Sequence, residues 1–252
     1  MIDTHVHLNN DAFYEDPCPV LARARDAGVD RFVVVGFTEA MNERAARLAA
    51  AHEGLYATAG LHPTTAHEAD REPLQKLESR LEAGGVVAVG ECGLDFHHDK
   101  EHKSVQAKRF EAQIRLAKQH DLPLVIHMRE AAGMTYDILS RHAPIKGVMH
   151  CYSGSVEMAH KFLKLGLHIS LGGPVTFKNA KTPKEVAKIV PDERLLIETD
   201  APFLAPHPYR GKQNEPSLLP LIANQVATLR GTSSEYIDSL TSENAVRLFG
   251  LE

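Results

Sequence analysis

The sequence predicts an α/β fold, a single-domain (β/α)8 TIM barrel over residues 1–252. Three observations predict it. Short apolar, β-branched runs recur about eight times along the chain. A stretch with helical spacing of apolar residues follows each run. No linker, low-complexity tract or second apolar core interrupts the series. Nearly continuous apolar strands are expected of a parallel sheet covered on both faces. Strand then helix, repeated through a chain of this length, is the pattern of a closed barrel. The competing architecture is an open doubly wound sheet, but no G-x-G-x-x-G motif opens the first helix.

The strands read, in order, as "MIDTHVH" at the N-terminus, "RFVVVGF" (31–37), "LYATAGLH" (55–62) and "GVVAVGECG" (85–93). They continue as "LPLVIHM" (122–128), "GVMHCYS" (147–153), "LHISLGG" (167–173) and "RLLIETD" (194–200). The first helix, "CPVLARARDAG", starts on a proline and stops on Gly28. The second is Ala-rich and stops at Gly54, and the third carries Leu74, Leu77 and Leu81 at helical spacing. The fourth, "KSVQAKRFEAQIRLAKQHD", is long and amphipathic. Helical patterns follow at 130–142, 155–165, 183–189 and 216–230. The terminal "TSENAVRLFG" reads as a last helix with Thr241 as N-cap and Asn244 in its first turn.

Composition narrows the function classes. A net charge of −5 supplies no field for coating nucleic acid, so such contact must come from a local patch. Three scattered cysteines, Cys18, Cys92 and Cys151, imply no disulfide framework and suit a reducing, cytoplasmic setting. No targeting or membrane-spanning segment is predicted. Fifteen histidines are many for this length and need a reason.

Barrel enzymes carry their chemistry at the C-terminal ends of the strands. There the predicted strands place His5 and His7, His62, Glu91, His127, His150, and the pair Glu198 and Asp200. On the first strand, alternation puts Asp3, His5 and His7 on one face and Ile2, Thr4 and Val6 on the other. Any one of these histidines reads as a hydrogen-bonded rim residue. Four imidazoles and two carboxylates converging from separate strands would repel one another unless cations pair them. Two metal ions sharing a bridging carboxylate use all six. The remaining histidines, among them His52, His67, His102, His120 and His160, read as solvated, with His62 excepted. Cys92 and Cys151 flank predicted ligands but face away on their strands, which suits packing.

The segments that carry these residues resemble the TatD family of metal-dependent deoxyribonucleases, within the amidohydrolase-like barrels. The matching stretches are "DTHVHL", "GLHP", "VGECGLD", "VIHMR", "MHCYSG", "SLGGPVTFKNA", "LLIETDAPFLAP", "RGKQNEP" and "TSENAVRLFG", in order along nearly the whole chain. The resemblance implies a barrel hydrolase with two divalent metal ions. His5, His7, Glu91 and Asp200 would hold one, and Glu91, His127 and His150 the other, with Glu91 bridging. It implies phosphodiester hydrolysis of DNA strand ends or single strands from the 3′ end, with RNA as a further substrate. Asp200 would then be the general base. Phe96, Tyr152 and Glu130 depart from the residues expected beside the site and bear on substrate preference.

A nuclease also needs groups for phosphate oxygens. Arg129 shares a strand face with His127, Lys178 follows the seventh strand, and Arg210 and Lys212 lie after the eighth. His62 and Ser153 are further candidate contacts, and Glu198 reads as a supporting carboxylate one layer below Asp200. The histidines suit zinc, manganese or nickel, whereas the family's activity is tied to magnesium. The alternative reading keeps the metals and changes the substrate to a lactone, amide or phosphotriester, or to a D-aminoacyl-tRNA. A glycosidase built on Glu91 and Glu198 leaves the histidines unexplained.

Overall fold

The computed structural model describes residues 1–65 and 72–252. His67, read above as solvated, lies outside the described residues. Strand β1 (Ile2–Val6) leads to helix α1 (Cys18–Asp26), β2 (Arg31–Val34) to α2 (Glu39–Ala51), and β3 (Leu55–Ala59) to α3 (Glu72–Ala83). Then β4 (Val86–Asp95) leads to α4 (Lys103–Gln119), β5 (Leu124–Arg129) to α5 (Ala132–Arg141), and β6 (Gly147–Met149) to α6 (Val156–Lys164). Finally β7 (His168–Leu171) leads to α7 (Lys181–Ile189), and β8 (Leu195–Ile197) to α8 (Leu219–Arg230) and α9 (Ser234–Phe249).

The eight strands form one sheet in sequence order, each parallel to the next. The seam between β8 and β1 is drawn together by the residues just beyond the strands. Asp200 N–H donates to the His5 carbonyl at 2.9 Å, and His7 N–H donates to the Ala201 carbonyl at 2.8 Å. Below them, Thr4 Oγ1 donates to the Ile197 carbonyl, and buried Asp3 accepts from the Thr199 backbone and hydroxyl. Barrel closure therefore runs through the same segments that carry His5, His7 and Asp200.

Two apolar layers follow from the strand period. Outward residues such as Phe32, Val34, Ile126 and Met149 pack under the helices with Phe110, Ile114 and Phe162. Inward residues Ile2, Val33, Val35, Val125, Val148 and Leu196 form a second cluster, plugged by Leu248 and Phe249 of α9. Helix starts are set by side chains. Thr38, Ser155 and Ser233 accept backbone N–H bonds from Met41, Met158 and Tyr236 as N-caps. Helix α9 begins earlier than the sequence reading has it, because Ser233 outcompetes Thr241 as the cap. Thr241 lies inside the helix, where its hydroxyl donates to the Ile237 carbonyl at 2.8 Å. Asn244 is not a first-turn residue either. It donates to the carbonyls of Asp192 and Leu195 and ties α9 to β8.

The simple alternation expected of β1 also fails. Ile2 belongs to the interior cluster, and Thr4 Oγ1 lies 3.4 Å from Ser170 Oγ across the barrel. A register shift between Asp3 and Val6 then brings His5 and His7 inward as well. Strand β4 does the same. Ala88 faces inward, the register shifts between Val89 and Cys92, and Glu91 again faces inward. Gly90 makes this possible: its φ is +152°, and a Cβ there would sit 2.5 Å from the Val125 carbonyl oxygen.

Candidate metal centre

The six predicted ligands meet at the C-terminal mouth of the barrel. Glu91 is their hub. Its Oε1 lies 2.8 Å from His127 Nδ1, 2.9 Å from His150 Nε2 and 3.4 Å from His62 Nε2. Its Oε2 lies 3.5 Å from His5 Nε2 and 3.9 Å from His7 Nε2. Asp200 Oδ1 approaches His7 Nε2 at 3.4 Å and His5 Nε2 at 3.7 Å. One carboxylate oxygen thus faces one set of imidazoles and the other oxygen faces a second set.

The outer nitrogens explain why the inner ones point there. His7 Nδ1 faces the Val35 carbonyl at 3.1 Å, His127 Nε2 faces Asp95 Oδ2 at 3.1 Å, and His150 Nδ1 faces Glu198 Oε1 at 3.1 Å. Each of these partners only accepts, so a neutral ring carries its proton there. The inner nitrogen then presents a lone pair. In that neutral form His127 Nδ1 and His150 Nε2 aim lone pairs at Glu91 Oε1 and at one another across 3.2 Å, and these repel unless a proton or a cation sits between them. A cation between them turns that repulsion into coordination, and acceptor-backed histidines are the usual support of metal ligands. Groups with ligand atoms mutually within 4.8 Å are His5–His7–Asp200, His5–His150–Glu198 and His62–Glu91–His127. The donor set of imidazole and carboxylate therefore fits divalent ions.

The charges act on one another strongly. Burial would raise the Glu91 carboxyl, but the facing imidazoles of His150, His62 and His127 outweigh it and hold it well below the usual carboxylate range. Asp200 is likewise held down by His7, His5 and His150 against its burial. Glu91 and Glu198 together push His150 well above the ordinary imidazole value despite its burial. His5 is shifted the other way, by burial and by the charge of His150 stacked on it at 3.9 Å.

Two functional residues escape the sequence reading. Asp95 is buried and bridges His127 to His98, whose Nδ1 lies 2.7 Å from Asp95 Oδ2. The signal was in "GECGLD": β4 runs to Asp95, beyond the expected end at Gly93, and Asp95 stands four residues on from Glu91. His98 itself lines the mouth, so it is not one of the merely solvated histidines. Phe37 and Phe203 line it too, and Phe203 is 48% exposed.

The candidate phosphate contacts divide. His62 and Arg129 line the mouth; the Arg129 carbonyl accepts from Phe96 N–H at 2.9 Å, while its exposed guanidinium makes no hydrogen bond or ion pair among the described residues. Ser153 lies beside a second cavity that shares His127, His150 and Asp200 with the mouth. Lys178 does not join them. It is exposed beyond the turn at Gly173–Thr176, and among the described residues only its backbone carbonyl is engaged, by Lys184. Arg210 stacks on Phe177 and Lys212 on Tyr209, and neither is among the described residues lining the mouth. Cys92 packs in the outer core as expected, whereas Cys151 has a positive φ and lines the second cavity.

Comparison with known proteins agrees with this architecture. The chain matches the TatD related DNase family over residues 2–250. It is 45% identical over 251 residues to the uncharacterized metal-dependent hydrolase YabD of Bacillus subtilis, covering 99% of this chain and 98% of that one. It is 37% identical to the 3'-5' ssDNA/RNA exonuclease TatD of Pantoea vagans, covering 100% of both. The crystal structure of YJJV, a TatD homolog from Escherichia coli, superposes with a TM-score of 0.95 at 33% identity, covering 100% of this chain and 98% of that one.

Proposed function

The chain belongs to the TatD-related DNase family of metal-dependent hydrolases, and from that premise we propose that it is a 3′–5′ exonuclease acting on single-stranded DNA or RNA ends. We assign one divalent ion to His5, His7, Glu91 and Asp200, and a second to Glu91, His127 and His150. When bound, such ions acidify a water molecule and neutralise charge growing on the phosphoryl oxygens. Asp200 would be the base, taking up a water proton at a carboxylate oxygen. The imidazoles that hold Asp200 ionised despite its burial support that role. Glu198 fixes the ring of His150, and Asp95 fixes the ring of His127. Arg129, whose guanidinium has no partner among the described residues, offers it to a phosphate oxygen.

The observation that carries this reading is the pair of oxygens on Glu91, each facing its own set of imidazoles. The free cysteines support a reducing compartment, the cytoplasm. Among the described residues no helix is long and apolar enough to cross a membrane. We take residues 1–252 as one catalytic barrel.

The test is digestion of a 5′-end-labelled single-stranded oligonucleotide with magnesium, manganese, zinc or nickel, and with EDTA. A ladder shortening from the 3′ end with metal, and none with EDTA, is expected. Hydrolysis of a lactone, amide or phosphotriester in place of every oligonucleotide would move the substrate elsewhere.

A further inference from the structure

We propose that the second cavity at the mouth is a slot for the nucleobase of the chain-terminal nucleotide. The proposal deepens the exonuclease reading and rests on it. The cavity, of about 160 Å³, opens from the metal centre itself, because His127, His150 and Asp200 line both it and the mouth. A phosphate held at those shared residues leaves whatever it carries to enter the slot.

The walls say what that is. Met128, Leu171, Pro174, Val175, Pro183 and Leu204 supply apolar faces. Charge enters at the rim through exposed Arg129, and Ser153 Oγ has only a 3.5 Å contact with the Met128 carbonyl. The Tyr152 hydroxyl is already spent on the Ser155 carbonyl at 2.8 Å. A second phosphate would find one cation there and no buried donor. An uncharged planar ring with a polar edge fits: its faces meet the apolar walls, and its edge meets Ser153 and Arg129. Met128 is flexible and polarizable, so the slot accepts purines and pyrimidines alike.

The slot is also walled on its far side. Gly173 lets the loop after β8 close against β7, since a Cβ at that position would lie 1.9 Å from the Leu204 carbonyl oxygen. The turn at Gly173–Thr176 and the start of α7 complete the wall. A walled slot next to the reacting phosphate suits the last residue of a strand, which is what distinguishes an exonuclease from an enzyme that cuts within a chain.

The test is calorimetric titration of the manganese-loaded full chain with thymidine 5′-phosphate and with 2-deoxyribose 5-phosphate, which lacks only the base. The nucleotide should bind at least about tenfold more tightly, as expected for a ring leaving water for a fitted apolar pocket. Pro183→Trp, which fills the slot, should bring the two affinities together. Equal affinities in the wild-type protein overturn the proposal without reference to any variant or to turnover. In the same preparation, an oligonucleotide ending in a 3′ abasic residue should show a raised KM against one ending in thymidine. If neither oligonucleotide is cut while thymidine 5′-phosphate keeps its advantage, the slot stands and the exonuclease reading falls.

Discussion

At one end of the barrel Val33, Val35, Val125, Val148 and Leu196 meet Leu248 and Phe249 in a buried apolar cluster. Two residues further along the same strands stand His127, His150 and Glu198, equally inward and facing one another. The strand face is the same in both places, and only the position along the barrel axis differs. The apolar end gains stability from each side chain removed from water. The other end buries imidazoles and carboxylates, whose desolvation is offset only by their mutual pairing. Such concentration of buried titratable groups is a mark of a functional site. The comparison teaches that the fold is held at one end and spent at the other, so the two should respond differently to substitution.

The largest expected effect tests the polar end. Asp200→Asn should lower kcat by about 10²- to 10⁴-fold, the range for losing a positioned base, if metal binding survives. Its midpoint in urea should stay close to wild type. Full activity in this variant would remove Asp200 from the mechanism. The next effect tests the apolar end. Phe249→Ala should cost roughly 3–5 kcal/mol of stability through lost burial and the cavity left behind. Urea unfolding measures it, and kcat per folded molecule should not change. A large loss of kcat in Phe249→Ala at full folding would break the separation of the two ends.

A pH titration sharpens the same contrast. His168, 7% exposed at the start of β7, is pushed down to about 4 by burial and by the charges of Arg194 and Arg247. In the unfolded chain it titrates near the ordinary value of 6.5. Below that value the unfolded state takes up a proton that the folded state refuses. The stability is therefore complete above pH 6.5 and is lost as pH falls towards 4, by up to about 3 kcal/mol. His168→Gln should flatten that part of the stability curve. An unchanged slope between those pH values would show that His168 does not carry it.

The sequence displayed the barrel because its signal is repeated: eight apolar runs, each followed by a helical stretch, with no single boundary deciding the result. Strands β5 and β6 kept strict alternation, so Val125 with His127 and Val148 with His150 could be assigned to one face by counting. Strands β1 and β4 could not. Both shift register near their ligands, and a shift depends on how a neighbouring strand approaches, as at Gly90 against Val125. Counting put Ile2 and Thr4 on the wrong face and ended β4 before Asp95. The long-range contacts were also hidden. Nothing local separates Lys178, which stays outside, from Arg129, which lines the mouth; loop paths decide that.

Asp95 offers the smallest and most discriminating measurement. Its carboxylate holds His127 Nε2 and His98 Nδ1 while both backbone N–H groups of His97 and His98 bind its other oxygen. Asp95→Asn keeps the shape and removes the charge. An amide can place its NH2 where an acceptor is needed, so His127 loses the partner that fixes its proton on the outer nitrogen. Manganese affinity should fall about 10- to 100-fold, the usual cost of losing an acceptor behind a metal-binding histidine. Competition with a fluorescent chelator measures it. At saturating manganese kcat should recover most of its wild-type value, because Asp95 touches neither the water nor the phosphate. Glu198→Gln, behind His150, should behave in the same way. An affinity unchanged in both variants would mean that the imidazoles are held by packing alone, and the polar end would then need no acceptors behind its ligands.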